Sequence, residues 1–143
     1  MDFFAQLVRF ETALWNHLDR DLRAAGAVTM ANVLALRILD QHGDRGRVLD
    51  LSEELGITIG AASKLTDRLE RDGFAARRAH PQDRRSSLIS LTSKGEAALR
   101  EGTTVTDALV ATLFPHANDR AGSEEALTRL EAALASSIAE GKN

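Results

Sequence analysis

The sequence predicts a mainly α-helical fold of the α+β type, a row of amphipathic helices interrupted by one short antiparallel hairpin. Three observations carry this expectation. Apolar residues recur at three- and four-residue spacing along most of the 143 residues. Gly26, Gly43, Gly56 and Gly73 stand where these stripes end, and glycine is the residue that most readily closes a helix in a left-handed turn. The stretch from Phe74 to Leu91 then breaks the helical period, with Pro81 in its middle and Ile89 and Leu91 on one side of an extended run.

The elements follow in order. Phe3, Phe4, Leu7, Val8, Phe10, Leu14, Trp15, Leu18 and Leu22 form the stripe of a first helix ending near Gly26. Thr29 offers an N-cap for a second helix carrying Val33, Leu34, Leu36, Ile38 and Leu39, closed by His42 and Gly43. Asp44 to Arg47 reads as a turn. A short third helix through Leu51 and Leu55 must stop at Gly56. Gly56 to Thr58 then turn the chain. Thr58 caps a fourth helix, with Ala62, Leu65 and Leu69 on its inner face and Gly60, Ser63, Lys64, Asp67 and Arg71 on its outer face. Short helix, glycine-containing turn and second helix make a helix-turn-helix signature. Phe74–His80 and Ser86–Leu91 are the arms of a hairpin whose tip is Pro81, Gln82, Asp83, Arg84 and Arg85, the position of a wing. Thr92 caps a long helix that Pro115 stops, and a last helix runs from about Ser123 to Ala139 with Leu127, Leu130, Leu134 and Ile138 as its stripe.

The architecture expected is a winged helix-turn-helix over residues 30–95 within a single domain 1–143, flanked by helices in 1–26 and 96–143. The flanking stripes exceed what a winged core of about 70 residues can cover. A second, identical chain is the simplest cover, the terminal helices of two copies forming a dimerisation bundle.

Composition narrows the functions available. There is no cysteine, which excludes a disulfide framework, a thiolate-bound zinc and a thiol switch. Four scattered histidines make a poor metal centre, so no metal, cofactor or catalytic residue is expected. No run approaches the ~18 apolar residues of a membrane span, and Met1–Glu11 lacks the pattern of a signal peptide, so the expected address is the cytoplasm. Phosphate-cradling glycine motifs, nucleophile elbows and HExxH are missing, so an enzyme is not expected. The net charge of −3 hides an asymmetry: residues 61–95 hold eight basic against four acidic side chains, leaving ten basic and seventeen acidic elsewhere. An acidic body with one basic stretch suits a protein that presents one face to a polyanion.

Within that stretch the fourth helix has small residues leading its outer face. Gly60 and Ala61 allow close approach to base edges in a major groove, Ser63 can exchange a hydrogen bond with a base edge or phosphate, and Lys64 supplies a point charge. Thr58 sits at the helix N-terminus, where phosphates are favoured. Arg68 lies later on the helix, as phosphate contact or internal ion pair. Asp67 repels phosphate and is expected to pair with Arg71 or a neighbouring arginine. In the wing, Asp83 can hold an arginine fork in place, Arg85 is the candidate for a minor groove and Arg84 for phosphate, with Arg77, Arg78 and His80 on the arm meeting the backbone. Two such domains in a symmetric dimer would read a palindrome with half-site centres roughly 10 base pairs apart. About four phosphates neutralised per subunit would give a log-log salt slope around −7.

Leu51 to Gly95 resembles the MarR-type winged-helix transcriptional regulators. The likeness rests on Leu69-Glu70-Arg71-Asp72-Gly73-Phe74, then Arg77-Arg78, then Pro81-Gln82-Asp83-Arg84-Arg85, then Leu91-Thr92-Ser93-Lys94-Gly95. One departure is Leu49, which stands where the family's third helix usually has a capping Ser or Thr. The resemblance implies a sequence-specific, double-stranded-DNA-binding regulator, a ligand-responsive repressor acting as a homodimer on a palindromic operator. It also implies release from DNA by a small aromatic or phenolic effector in a cleft between dimer helices and winged domain. Phe10, Trp15, His17 and Arg20, with Arg37 and His42, are the candidates to line that cleft. A winged-helix module for protein–protein contact and a metal-responsive regulator are the alternatives.

Overall fold

A computed structural model of the chain describes residues 2–83 and 86–140, the side chains of 139 and 140 excepted. Helix α1 spans Phe3–Ala24, started by the Asp2 carboxylate, which accepts from the Ala5 N–H at 2.8 Å. It buries only Leu18 and Leu22. The Asp19 carboxylate accepts from the Met30 N–H at 2.7 Å, fastening α1 to the start of α2, Met30–His42. Thr29 caps α2 as expected, its hydroxyl accepting from the Asn32 N–H at 3.3 Å. Six residues of α2 are buried, among them Val33, Leu36 and Leu39, with no exposed surface at all. A helix so widely covered is the centre of a core rather than its edge.

A single 3-10 turn, Gly43–Arg45, leads to α3, Val48–Leu55. The cap missing at Leu49 is supplied elsewhere: the Asp50 carboxylate reaches back to accept the Arg47 N–H at 2.7 Å. Leu49 therefore lies in the first turn and its side chain is free to face outward. Gly56 closes α3 in the left-handed region, φ 64° and ψ 33°. Helix α4, Ile59–Arg71, begins at Thr58 and buries Ala62, Leu65, Thr66 and Leu69.

The wing is a two-stranded antiparallel sheet, β1 Ala75–Ala79 and β2 Ser87–Leu91, with Ala75 opposite Leu91 and Ala79 opposite Ser87. Its burial departs from simple alternation. Leu88 and Ile89 are both buried, while Leu91 is only half-buried. The segment between α2 and α3 explains this: Gly46 bridges Ile89, whose N–H donates to the Gly46 carbonyl at 2.7 Å. A Cβ at Gly46 would stand 2.7 Å from the Ile89 carbonyl oxygen and 2.8 Å from Leu39 Cδ2, so only glycine allows this approach. The core gathers Leu36, Leu39, Leu51, Leu65, Leu69 and Ile89 from α2, α3, α4 and β2.

Helix α5 spans Ser93–Leu113. Thr92 starts it, accepting the Gly95 N–H at 3.1 Å while its hydroxyl donates to the Gly73 carbonyl at 2.6 Å. Gly95 packs on the Phe74 backbone and Gly102 on Val33. Helix α6 is Ala117–Glu140, beginning six residues before the expected Ser123. The reason is local: the His116 carbonyl accepts from the Asp119 and Arg120 N–H groups, so helical bonding resumes directly after Pro115, and Gly122 is carried inside the helix. The chain divides into two units, Met1–Thr106 and Asp107–Asn143. The first holds the winged body with α1 and the N-terminal part of α5; the second holds the rest of α5 and α6.

Candidate nucleic-acid interface

Helix α4 is amphipathic in a way that separates core from contact. Its buried face is closed even for its one polar member, because the Thr66 hydroxyl donates to the Ala62 carbonyl at 2.9 Å. Its N-terminus is fixed by the Thr58 hydroxyl accepting the Ala61 N–H at 3.1 Å. Outward from this start lie Gly60, Ala61, Lys64 and Arg68, all exposed, with Ser63 half-buried. A Cβ built on Gly60 would meet nothing closer than the Thr58 hydroxyl at 4.0 Å. Neither packing nor backbone geometry inside the chain requires a glycine there, so the bare surface is available to a partner.

The basic hairpin is tied to its surroundings by ion pairs. Arg77 Nη1 lies 2.6 Å from Asp67 Oδ1 and 3.1 Å from Glu70 Oε2, joining β1 to the outer face of α4. Asp67 thus pairs with Arg77; Arg71 pairs with its neighbour Asp72 at 3.0 Å. Arg78 Nη2 donates to the Asp44 carbonyl at 2.8 Å and to its carboxylate at 3.0 Å. Adjacent residues of one strand therefore face opposite ways, Arg77 toward α4 and Arg78 toward the 3-10 turn. Asp83 stands near the tip, its carbonyl accepting the Ser86 N–H at 3.2 Å. Arg84 and Arg85 lie outside the described residues. Between α4 and the hairpin runs a cleft of about 560 Å³ lined by Arg47, Leu49, Ser63, Asp67, Arg77 and Ser86 among others.

Residues 28–87 match the model of the MarR family. Over those residues the chain is similar to the MarR family. The HTH-type transcriptional repressor YetL of Bacillus subtilis (strain 168) is 32% identical over 87 residues, 60% of this chain and 52% of YetL. The chain spans about half the length of the curated relatives it matches. Among solved structures, the MepR–DNA complex from S. aureus aligns over 93% of this chain and 98% of MepR, with TM-score 0.82 and 21% identity. CouR from Rhodococcus jostii RHA1, bound to p-coumaroyl-CoA, aligns over 92% of each chain with TM-score 0.78 and 20% identity. These two likenesses concern the fold alone.

Three contact-competent residues escaped sequence reasoning. Ile59 opens α4 and is 59% exposed. Helical spacing aligns it with Ala62, Thr66 and Leu69, so periodicity hides it, but its place in the first turn leaves it outside the core. Arg45 and Arg47 flank Gly46 beside β2, both exposed. The signal in the sequence is a basic pair about a glycine, outside the basic stretch 61–95.

The six residues put forward for an effector cleft are dispersed in their bonding. Phe10, Trp15 and Arg20 are exposed on α1, and His17 lies 3.3 Å from Asp21 one turn on. Arg37 donates to the Thr106 hydroxyl at 3.5 Å, linking α2 to α5. His42 closes α2 and contacts α3, 2.6 Å from Glu54 and 3.9 Å from Asp50. The hydrogen bond to Glu54 raises its pKa above the ordinary histidine value, against a smaller loss from burial and with help from the Asp50 and Glu54 charges. A cleft on α1 is lined by Phe4, Ala5, Val8, Arg9, Thr12, Ala13 and Asn16, and holds none of the six. Among the described residues no group of three or more His, Cys, Asp or Glu could hold a metal ion, and no helix is long and apolar enough to cross a membrane.

Proposed function

We propose that this chain is a transcriptional regulator that binds double-stranded DNA sequence-specifically as a homodimer on a palindromic operator, in the cytoplasm and without catalytic activity of its own. The observation that carries the reading is the outer face of α4: a capped, rigid helix start with Gly60 and Ala61 bare, Ser63 and Lys64 beside them, and nothing within the chain that requires the glycine. Such a surface lets a backbone come close to base edges, where Ser63 can hydrogen-bond and Ile59 can pack against a thymine methyl. Thr58 at the helix N-terminus, Lys64 and Arg68 meet phosphate. The hairpin tip enters the adjacent minor groove, with Arg85 inside it, Arg84 on phosphate and Asp83 steadying the fork.

YetL's designation as a repressor supports repression as the mode of regulation. The p-coumaroyl-CoA held by CouR supports an aromatic effector, for which Phe10, Trp15, His17, Arg20, Arg37 and His42 remain the residues to probe. Selection of bound sequences from a random duplex pool tests the reading. An inverted repeat recovered with nanomolar affinity, weakened steeply by salt and by Arg85→Ala, is the expected outcome. Recovery of no duplex at low ionic strength overturns it in favour of a protein-contact module.

A further inference from the structure

The two faces of the hairpin carry different chemistry. Toward α4, Arg77 is held by two carboxylates. On the other side, a cleft of about 330 Å³ is lined by Arg45, Arg47, Arg78 and His80 together with Asp44 and Gln82. Three arginines meet one aspartate there. Asp44 is engaged with Arg78, and Arg47 turns its guanidinium to His80. The Gly46–Ile89 bridge fastens the Arg45 and Arg47 segment to β2, so these cations ride on the wing and not on a separate loop.

His80 shows that the cleft has donors to spare. The Gln82 N–H points at its Nδ1 at 3.1 Å, and Arg47 Nη2 lies 3.3 Å from its Nε2. A neutral imidazole has a single acceptor nitrogen, and an imidazolium has none. One of the two donors is therefore left without an acceptor on the ring whichever tautomer it adopts. An anionic oxygen in the cleft would satisfy it.

We propose that this cleft is a second phosphate-binding site, in which Arg45, Arg47 and His80 hold the DNA backbone on the far side of the minor groove that the wing enters. The proposal rests on the DNA-binding reading above. A minor groove is walled by two backbones about 6 Å apart, so a wing inserted in it has one backbone on each flank. The cleft between α4 and the hairpin faces one, and the arginine cleft faces the other. Arg47 lines both clefts, which makes it the residue shared between the two strands. Arg45 and Arg47 thus extend the basic footprint beyond the stretch 61–95.

The test is the salt dependence of binding to a random-sequence duplex of about three helical turns, a length that spans a dimer's two half-sites, measured for the wild type, Arg45→Ala, Arg47→Ala and the double variant. Each lost phosphate contact should make the log-log slope less negative by about 1 per protomer, with unchanged circular dichroism and thermal midpoint, since both side chains are exposed and the α3 cap uses only the Arg47 backbone. Slopes equal to wild type in both single variants overturn the second site while leaving the DNA reading intact. Failure of the wild type itself to bind the duplex, or any selected from a pool, overturns that reading and the site with it. Arg45→Lys restores the slope if charge alone matters, as a backbone contact requires.

Discussion

Arg77 stands on the basic hairpin proposed to meet DNA, yet its guanidinium is divided between two carboxylates of α4 and its side chain is only 26% exposed. Its first duty is to hold the hairpin against α4, which also offsets the charge by which Asp67 would repel a phosphate. Because Asp67 and Glu70 remain well solvated, the pair is worth about 0.5 kcal/mol. A double-mutant cycle of Arg77→Ala and Asp67→Ala, read by urea denaturation, should show coupling of about that size; zero coupling would return Arg77 to the role of a free phosphate contact. The sequence offered Asp67 a partner in Arg71, four residues on along one helix, or in a neighbouring arginine. Arg77 wins because the hairpin delivers it from outside the helix, a tertiary event that spacing along α4 cannot reveal. His42 gives the pH-dependent counterpart. Its pKa is raised in the fold by Glu54 and Asp50, so the charged ring stabilises the α2–α3 junction fully below its unfolded value near 6.5, and that contribution fades as pH climbs through the raised value. Denaturation midpoints should therefore decline above about pH 6.5 in the wild type, with the slope reduced in His42→Gln; parallel profiles would remove the histidine from the account.

Among elements, the helix starts were the most legible, because a cap is a local event: Thr29, Thr58 and Thr92 each accept the N–H three residues on. The helix-turn-helix was legible for a related reason, since Gly56 adopts φ 64° where the turn needs it. What local pattern could not supply was contact between distant segments. Nothing in Arg45-Gly46-Arg47 announces a bridge to Ile89, and so β2 was read as alternating when both Leu88 and Ile89 are buried. The start of α6 lies ahead of the expected Ser123, and Gly122 falls inside the helix, where an isolated glycine costs only about 1 kcal/mol. The α2–α5 contact offers a sharp test. A Cβ on Gly102 would come 2.5 Å from Val33 Cγ2. Gly102→Ala gains roughly 1 kcal/mol of helix propensity but overpacks a fully buried neighbour, at about 1–3 kcal/mol. The net change should be destabilising, and Val33→Ala introduced beside it should recover part of the loss, in contrast to its own cavity penalty in the wild-type background. Additive effects of the two substitutions would show that α2 and α5 do not meet at this point.

At the scale of the molecule, each unit leaves an apolar stripe uncovered. In the first, Phe3, Phe4, Leu7, Val8 and Phe10 project from α1, with Phe4 74% exposed; in the second, Leu127, Leu130, Leu134 and Ile138 project from α6, with Leu134 63% exposed. Continuous apolar surface of this kind is rare on a monomer and marks an interaction face. The stripes are of the helical period, so the surface that covers them is best supplied by helices, and a second copy of this chain provides the same stripes in self-complementary form. Homodimer formation is the consequence proposed, and it makes affinity for a palindrome depend on the residues of these stripes. Leu130→Glu combined with Leu134→Glu places two carboxylates in the exposed α6 stripe. Sedimentation equilibrium should then find a dimer for the wild type and a monomer for the variant at the same micromolar concentration, with far-ultraviolet dichroism of the winged body retained. Affinity for a palindromic duplex should collapse toward that of a single half-site, while the dependence on Arg45, Arg47 and Lys64 persists. A wild type that sediments as a monomer would remove the dimer and, with it, the palindrome as the form of the operator.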